Sequence, residues 1–284
     1  MTESKFPSWL KQKCFLNEDS VKKILEQYGI ATVCEEASCP NRSECFSRGL
    51  VTFLILGSVC TRDCKFCGVS KGIPFPIDNN EPQKITEMVK ILGLKSVVIT
   101  SVTRDDLDDG GACHFAQTIS SVKGLPNGII VEILTPDFKG NFDMIEIILE
   151  SRPDVWAHNI ETVPRLYPNV RRKANYENSL NLLKEIKIKS CNKIKIKSGI
   201  MLGLGENNDE VLQCLRDLRE IGCDYIVMGQ YLQPSKKQIE VKRFVPPDEF
   251  KSWENIAFEL GFDMVDSRPF ARSSYSAYYN NSEL

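Results

Sequence analysis

From residue 51 onward the chain alternates short apolar runs with longer stretches in which apolar residues recur every three or four positions. The first pattern reads as buried strand and the second as amphipathic helix. VTFLILG (51–57) is a continuous apolar run that stops at a glycine. EPQKITEMVKILG (81–93) has helical spacing, with Asn80 placed as N-cap, Pro82 in the first turn and Gly93 as the stop. The alternation continues: strand SVVIT (96–100), a helix over 112–123, strand GIIVEIL (128–134), helix FDMIEIILE (142–150) and strand DVWAHNIE (154–161). Then come helix NYENSLNLLKEIK (175–187), strand KIKIKSGIML (193–202), helix NDEVLQCLRDLREIG (208–222), strand YIVMGQYL (225–232) and helix PDEFKSWENIAFELG (247–261).

Six strand–helix units in this order imply parallel strands covered by helices. A closed eight-unit barrel takes roughly 250 residues, more than remains after the N-terminal segment. The expected fold is therefore α/β, an open parallel (β/α)6 partial TIM barrel. Chemistry in such folds sits where strands run into the following loops. The polar and glycine-rich segments fall there: CTRDCKFC after the first strand, TSVTRDD after the second, LTPDF after the third, HNIET after the fourth and GLGE after the fifth. No Pro/Ser-rich linker marks a domain break.

Composition narrows the function classes. The chain has 284 residues, 42% hydrophobic and 26% charged, so a sizeable core is available. A net charge of −2 gives no ground for capture of nucleic acid or of an anionic membrane. The 51–57 run is too short to span a bilayer, and MTESKFPSWLKQKCF has no apolar signal core. A cytoplasmic protein is expected. Its eleven cysteines are many for a reducing compartment, where a disulfide framework is not expected.

Six of those cysteines form two runs. Cys60, Cys64 and Cys67 follow the first strand as C-x3-C-x2-C, and Cys34, Cys39 and Cys45 precede it as C-x4-C-x5-C. Zinc sites and cubane clusters built from cysteine want four protein corners; each run offers three. A zinc ribbon would need paired C-x2-C knuckles, and the only histidines, His114 and His158, lie in a helix and near a strand end. Three thiolates on one short loop instead hold three irons of a [4Fe–4S] cube and leave the fourth iron open to a ligand.

On these residues the chain resembles the radical S-adenosylmethionine (SAM) superfamily. The resemblance implies that SAM chelates the open iron at Cys60/Cys64/Cys67, and that one electron cleaves it to a 5′-deoxyadenosyl radical. Phe66 matches the aromatic position near the adenine. With CEEASCPNRSEC, TSVTRDDLDDGGA, VEILTPDF, HNIETVPRLY, MLGLGE, MGQYLQPS and RSSYSA in order, the chain is similar over nearly its whole length to the lipoyl synthase family. That likeness implies a second, auxiliary cluster on Cys34, Cys39 and Cys45, whose fourth ligand is a serine of Arg272-Ser273-Ser274-Tyr275, namely Ser274. Serine oxygen is a harder and poorer partner for cluster iron than thiolate, which suits a cluster consumed as sulfur donor.

The implied reaction is sulfur insertion at C6 and C8 of an octanoyl group bound to a carrier lysine, with two SAM molecules per lipoyl group. The implied partners are octanoylated lipoyl carrier domains of 2-oxoacid dehydrogenase complexes and of the glycine cleavage H protein, a low-potential ferredoxin or flavodoxin, and iron–sulfur assembly proteins. Three regions follow: 1–45 with the auxiliary cysteines, 46–263 as the barrel, and 264–284 as the tail bearing the serine. The superfamily has a glycine motif comparable to Gly110 and Gly111, where backbone would approach SAM. Thr100 and Ser101, Asn159 and Glu161 end the second and fourth strands and face the cofactor in this reading. Arg171 would pair with a carboxylate, and Glu206 would serve the SAM pocket or cap a helix. Two other functions fit the cysteine pattern: sulfur insertion into a different substrate, or a two-cluster electron carrier, which needs no open iron.

Overall fold

The computed structural model describes residues 6–10, 19–126 and 128–274. Seven parallel strands form one sheet in sequence order: β1 (Thr52–Ile55), β2 (Ser96–Ser101), β3 (Ile130–Leu134), β4 (Val155–Ala157), β5 (Lys195–Leu202), β6 (Tyr225–Gln230) and β7 (Met264–Ser267). Each strand pairs only with its neighbours in the sequence, so β1 and β7 remain the edges of an open barrel. Three short N-terminal helices precede β1: α1 (Asp19–Tyr28), α2 (Val33–Glu36) and α3 (Arg42–Ser47). The crossings are made by α4 (Glu81–Ile91), α5 (Ala112–Lys123), α6 (Met144–Leu149), α7 (Tyr167–Val170) with α8 (Tyr176–Lys189), α9 (Asn208–Glu220) and α10 (Pro247–Glu259).

The elements follow from local chemistry. Strands β1 to β6 are buried along nearly their full length, as expected of parallel strands covered by helices. Helix α9 begins with a complete capping box: Asn207 accepts from the Glu210 amide and Glu210 from that of Asn207. The sheet has one strand more than the six expected. β7 is four residues long and packs on α10, with two charged or polar residues among its four, too short a pattern to stand out in the sequence. It opens the segment that follows residue 263, so the tail begins as part of the sheet. Among the described residues no helix is long and apolar enough to cross a membrane.

The segments before β1 and after β7 meet along the open side. Ahead of β1, Thr32 bridges Phe53 in antiparallel fashion and Leu54 N donates to Ala31 O at 2.9 Å, covering the exposed strand edge. From β7 the tail turns inward: Arg268 N donates to Met228 O (3.1 Å) and Gln230 N to Pro269 O (3.1 Å). Asn41 Nδ2 then binds Phe270 O (2.8 Å), and Thr52 Oγ1 donates to Ser274 O (3.0 Å). Residues 268–274 therefore run from the last strand to the first. A Cβ on Gly229 would lie 2.2 Å from Ala271 O, so only glycine at that point of β6 lets the tail backbone lie against the strand.

Candidate active site

The loop after β1 is held at every turn. Leu56 adopts φ +67°, a left-handed conformation unusual for a non-glycine residue. Its amide is fixed by Glu81 Oε2 (2.8 Å) and its carbonyl by Arg104 Nη1 (3.1 Å). Glu81 also holds the buried His114 (2.7 Å), which accounts for that histidine without a metal. Beyond Leu56, Val59–Cys60 pairs with Ser70–Lys71, which folds the following segment back along the cysteine loop. Lys65 exchanges backbone bonds with Val170 (2.9 Å) and Ile239 (3.0 Å), and Gln238 Nε2 donates to Cys67 O (3.2 Å).

At the centre of the loop, between Cys60 and Cys64, stands Arg62. Its guanidinium is buried and forks onto two carboxylates: Asp105, which follows β2, at 2.8 and 2.9 Å, and Asp137, which follows β3, at 2.8 and 2.6 Å. Burial would raise the Asp137 carboxyl, but the Arg62 guanidinium overrides it and holds the group at about 2. Burial works against the charge on Arg62 too, and the two carboxylates more than restore it. This clamp ties the cysteine loop to two strand ends, and nothing in the sequence pattern singled out its members. The signal was present: an arginine inside the cysteine run and an aspartate in each of the next two strand-end segments.

Cys60, Cys64 and Cys67 all face a cavity of about 580 Å³. Phe66 shares that wall and also packs near Val170, Leu204 and Tyr231, so it serves the cavity and the core at once. Thr100, Ser101, Asn159, Glu161 and Arg171 line the same space. Thr100 Oγ1 is satisfied by Leu134 O (2.9 Å). Ser101 Oγ, Asn159 Oδ1 and Arg171 Nε are buried without a hydrogen-bond partner among the described residues. Buried polar atoms of this kind are costly unless a ligand meets them, so the cavity fits a polar occupant. Arg171 otherwise donates to Asn159 O (3.0 Å), Ile160 O (3.2 Å) and Tyr167 Oη (3.0 Å). Glu161, at φ +65°, is pushed toward its neutral form by burial, with Arg171 and Asn159 opposing.

The second cysteine run lies against β1. Cys34 and Cys45 are buried and Cys39 faces the cavity. The Thr52 amide donates to the Cys34 thiol while its hydroxyl donates to Ser274 O, so one residue of β1 joins the first cysteine of this run to the tail serine. Ser273 and Ser274 both line the cavity, and Ser273 Oγ accepts from Asn159 Nδ2 (2.6 Å). Tyr275 lies outside the described residues.

Burial, then the neighbouring Cys39 thiol, push Cys34 up to about 12, and burial pushes Cys67 up to about 12. Burial raises Cys64 as well. Thiols so placed stay protonated unless a cation compensates the thiolate, which is what bound iron supplies. Among the described residues no three His, Cys, Asp or Glu side chains close on one point. The thiols of a run are coupled electrostatically instead, Cys39 and Cys45 to Cys34, and Cys60 to both Cys64 and Cys67. A cluster takes each of its thiolates on a separate iron. Cys60, Cys64 and Cys67, all on the cavity wall, have the donor chemistry that suits cluster iron.

Gly110 and Gly111, expected where backbone approaches the cofactor, are not in the cavity wall. Both have positive φ where the chain enters α5, and a Cβ on Gly111 would sit 2.3 Å from Leu56 Cδ1. A Cβ on Gly110 would meet Phe138 Cδ1 at 3.0 Å, so close packing at this turn calls for glycine at both positions. Glu206 accepts from the Gly203 (2.5 Å) and Leu204 (2.9 Å) amides and so closes its own turn; Asn207 caps α9.

With this geometry in view, the chain compares with known proteins as follows. Residues 54–218 match the radical SAM superfamily. Among solved structures, HydG, a maturase of the [FeFe]-hydrogenase, superposes with a TM-score of 0.58 at 13% identity over 89% of this chain and 71% of that one. A methylornithine synthase gives 0.51 at 15% over 89% and 82%. These likenesses show a shared fold. The match over the barrel and its cysteine loop makes the chain a radical SAM protein, a class that carries a [4Fe–4S] cluster and SAM. Within that class it is 52% identical to the lipoyl synthase of Caldanaerobacter subterraneus subsp. tengcongensis, over 95% of each chain, and 51% identical to that of Caldicellulosiruptor saccharolyticus, over 98% of each. The chain belongs to the lipoyl synthase family.

Proposed function

We propose that this protein is a lipoyl synthase, inserting sulfur at C6 and C8 of an octanoyl group amide-linked to a lysine of a lipoyl carrier domain. One observation carries this reading: the radical-site cysteines Cys60, Cys64 and Cys67 and the auxiliary-site Cys39 and Ser274 face a single cavity. When bound, a cluster on Cys60, Cys64 and Cys67 with SAM supplies the hydrogen-abstracting radical, and a cluster on Cys34, Cys39, Cys45 and Ser274 supplies the sulfur, one SAM for each C–H bond.

The protein's own residues position and exclude. The Arg62 clamp and the Leu56 turn fix the cysteine loop against β1, β2 and β3, so the radical forms at a constant place relative to the substrate. Ser101, Asn159 and Arg171 offer unfilled polar atoms to the amino, carboxylate and ribose groups of SAM, and Phe66 offers a ring to its adenine. Leu54, Val102, Leu134 and Ile200 give the chamber an apolar share suited to a hydrocarbon chain and to keeping water out. The tail serine and Thr52 hold the auxiliary site at the open edge of the barrel. A pure electron carrier has no use for such a chamber.

The expected partners are octanoylated carrier domains of the 2-oxoacid dehydrogenases and the glycine cleavage H protein, a low-potential ferredoxin or flavodoxin, and assembly proteins that renew the auxiliary cluster. The ten described cysteines are free thiols, in keeping with a cytoplasmic setting. The test is anaerobic incubation of cluster-loaded protein with SAM, dithionite and an octanoyl-lysine peptide. Mass spectrometry is expected to show a product carrying two added sulfurs, with about two 5′-deoxyadenosines per product. Release of 5′-deoxyadenosine with no sulfur gained by the octanoyl peptide would assign the enzyme a different substrate.

A further inference from the structure

The outer side of the cysteine loop differs from the rest of the surface. Two exposed lysines reach its backbone, Lys71 Nζ binding Cys64 O (2.9 Å) and Lys173 Nζ binding Thr61 O (3.1 Å), and a third, Lys139, binds Asp105 O (2.6 Å) in the adjoining segment after β2. Arg172 is exposed beside Lys173, and Lys65, within the loop, is about one-third exposed. The carboxylates facing these cations are already engaged: Asp63 with Lys65 (3.5 Å), Asp105 with Arg62 and Asp106 with Arg104 (2.8 Å). The result is a cationic surface on a chain whose net charge is −2.

An apolar tip stands next to it. Ser70–Lys71 runs parallel to Val59–Cys60, and Gly72 N donates to Cys60 O (3.1 Å). The chain then projects as Ile73-Pro74-Phe75-Pro76, with Ile73 94% and Phe75 77% exposed, the two most exposed large apolar side chains among the described residues. Two prolines restrict this segment, so the tip is offered to solvent in a set shape. Apolar anchors flanked by cations, exposed among the described residues, describe a protein-docking surface.

We propose that this face, Lys65, Lys71, Lys139, Arg172 and Lys173 around Ile73 and Phe75, docks an acidic protein that carries a one-electron redox centre near its surface. The proposal rests on the radical SAM reading and names the partner of its cysteine loop. The reaction needs one electron from outside for each SAM, and this surface backs directly onto the cysteine loop. Gly72 and Lys71 are each one hydrogen bond from the carbonyl of a cluster cysteine. One electron leaves the donor, which is oxidised by one unit, and enters the group held by Cys60, Cys64 and Cys67, which is reduced by one unit. No atom or proton crosses the interface. Charge complementarity would bring the donor in quickly and release it after transfer.

Two variants test this on cluster-loaded enzyme, with reduced flavodoxin as the acidic probe: Arg172→Glu, and Ile73→Ser with Phe75→Ser. Lys65 is left in place because it belongs to the cysteine loop, and Lys71, Lys139 and Lys173 because they hold backbone. Flavodoxin affinity, by titration, and the rate of flavodoxin-driven 5′-deoxyadenosine formation are each expected to fall about tenfold in both variants. The dithionite-driven rate should stay within about twofold of wild type, because a small reductant needs no docking surface. Salt should weaken flavodoxin binding to wild type more steeply than to the charge variant. Wild-type flavodoxin affinity in both variants would overturn the proposal. So would variants that keep flavodoxin but lose the octanoylated carrier domain, which would assign the face to the substrate protein. Absence of 5′-deoxyadenosine from wild type with dithionite and SAM would sink the radical reading instead, and the titration would still decide the docking surface.

Discussion

Arg62 shows how one side chain decides the state of the site. Removing its guanidinium by Arg62→Ala leaves Asp105 and Asp137 unpaired at the base of the loop, and an uncompensated buried charge costs about 3–5 kcal/mol. The expected outcome is loss of iron from the Cys60/Cys64/Cys67 site, a drop of about four irons per chain from the roughly eight of two cubanes. Metal analysis of anaerobically purified protein checks it. Arg62→Lys keeps a charge but not the double fork and should restore iron only partly. The cysteines themselves were legible because a thiol's spacing is its function. Arg62 was not, since its meaning depends on two aspartates 43 and 75 positions away.

His158 gives a prediction of a different kind. It is fully enclosed, its Nδ1 2.8 Å from Thr135 O and its Nε2 3.0 Å from Ser179 Oγ. The carbonyl can only accept, so Nδ1 carries the proton and Nε2 is the unprotonated nitrogen facing the Ser179 hydroxyl, which also reaches Asn175 O at 3.2 Å. Burial, then the Arg171 charge, depress this group to about 4. Above its ordinary value near 6.5 both folded and unfolded states are neutral, and the residue adds no pH dependence. As pH falls from 6.5 toward 4, only the unfolded chain takes up the proton, so stability is lost across that window. By pH 5 the loss is about 2 kcal/mol. Urea unfolding of cluster-free protein at pH 7 and pH 5 should show it in wild type and not in His158→Asn.

At the scale of elements, the barrel's helices other than α7 and six of its strands followed from periodicity, because parallel strands buried on both faces give uninterrupted apolar runs. β7 and the course of the tail did not, because neither carries a period. The tail is placed by backbone bonds to β6 and by the missing side chain of Gly229. Gly229→Ala should therefore push Ala271, and with it Ser274, away from β1. We expect the auxiliary cluster to be lost preferentially while the SAM cluster stays, with total iron falling toward four per chain. Ser274→Ala should give the same iron deficit without disturbing the strand. Inside the barrel, Lys197 on β5 meets Glu132 on β3 at 2.5 Å, both fully buried. Lys197→Met removes this cation from the buried carboxylate and should cost about 3–5 kcal/mol, of which the added Glu132→Gln change recovers a substantial part. Denaturant midpoints of the single and double variants measure the coupling.

For the whole molecule, the open barrel is the functional device. A closed sheet would fill its interior with side chains, whereas this one leaves a side through which the first and last segments come together. Two incomplete ligand sets, one after β1 and one before it, thereby share a chamber. Function would rest on the first of them: three thiolates at Cys60, Cys64 and Cys67 would leave one iron free for SAM. Electron paramagnetic resonance of the dithionite-reduced Ser274→Ala protein, which isolates that cluster, tests this most directly. Addition of SAM is predicted to shift the g values of the reduced cluster. An identical spectrum with and without SAM, from protein carrying about four irons per chain, would contradict the account.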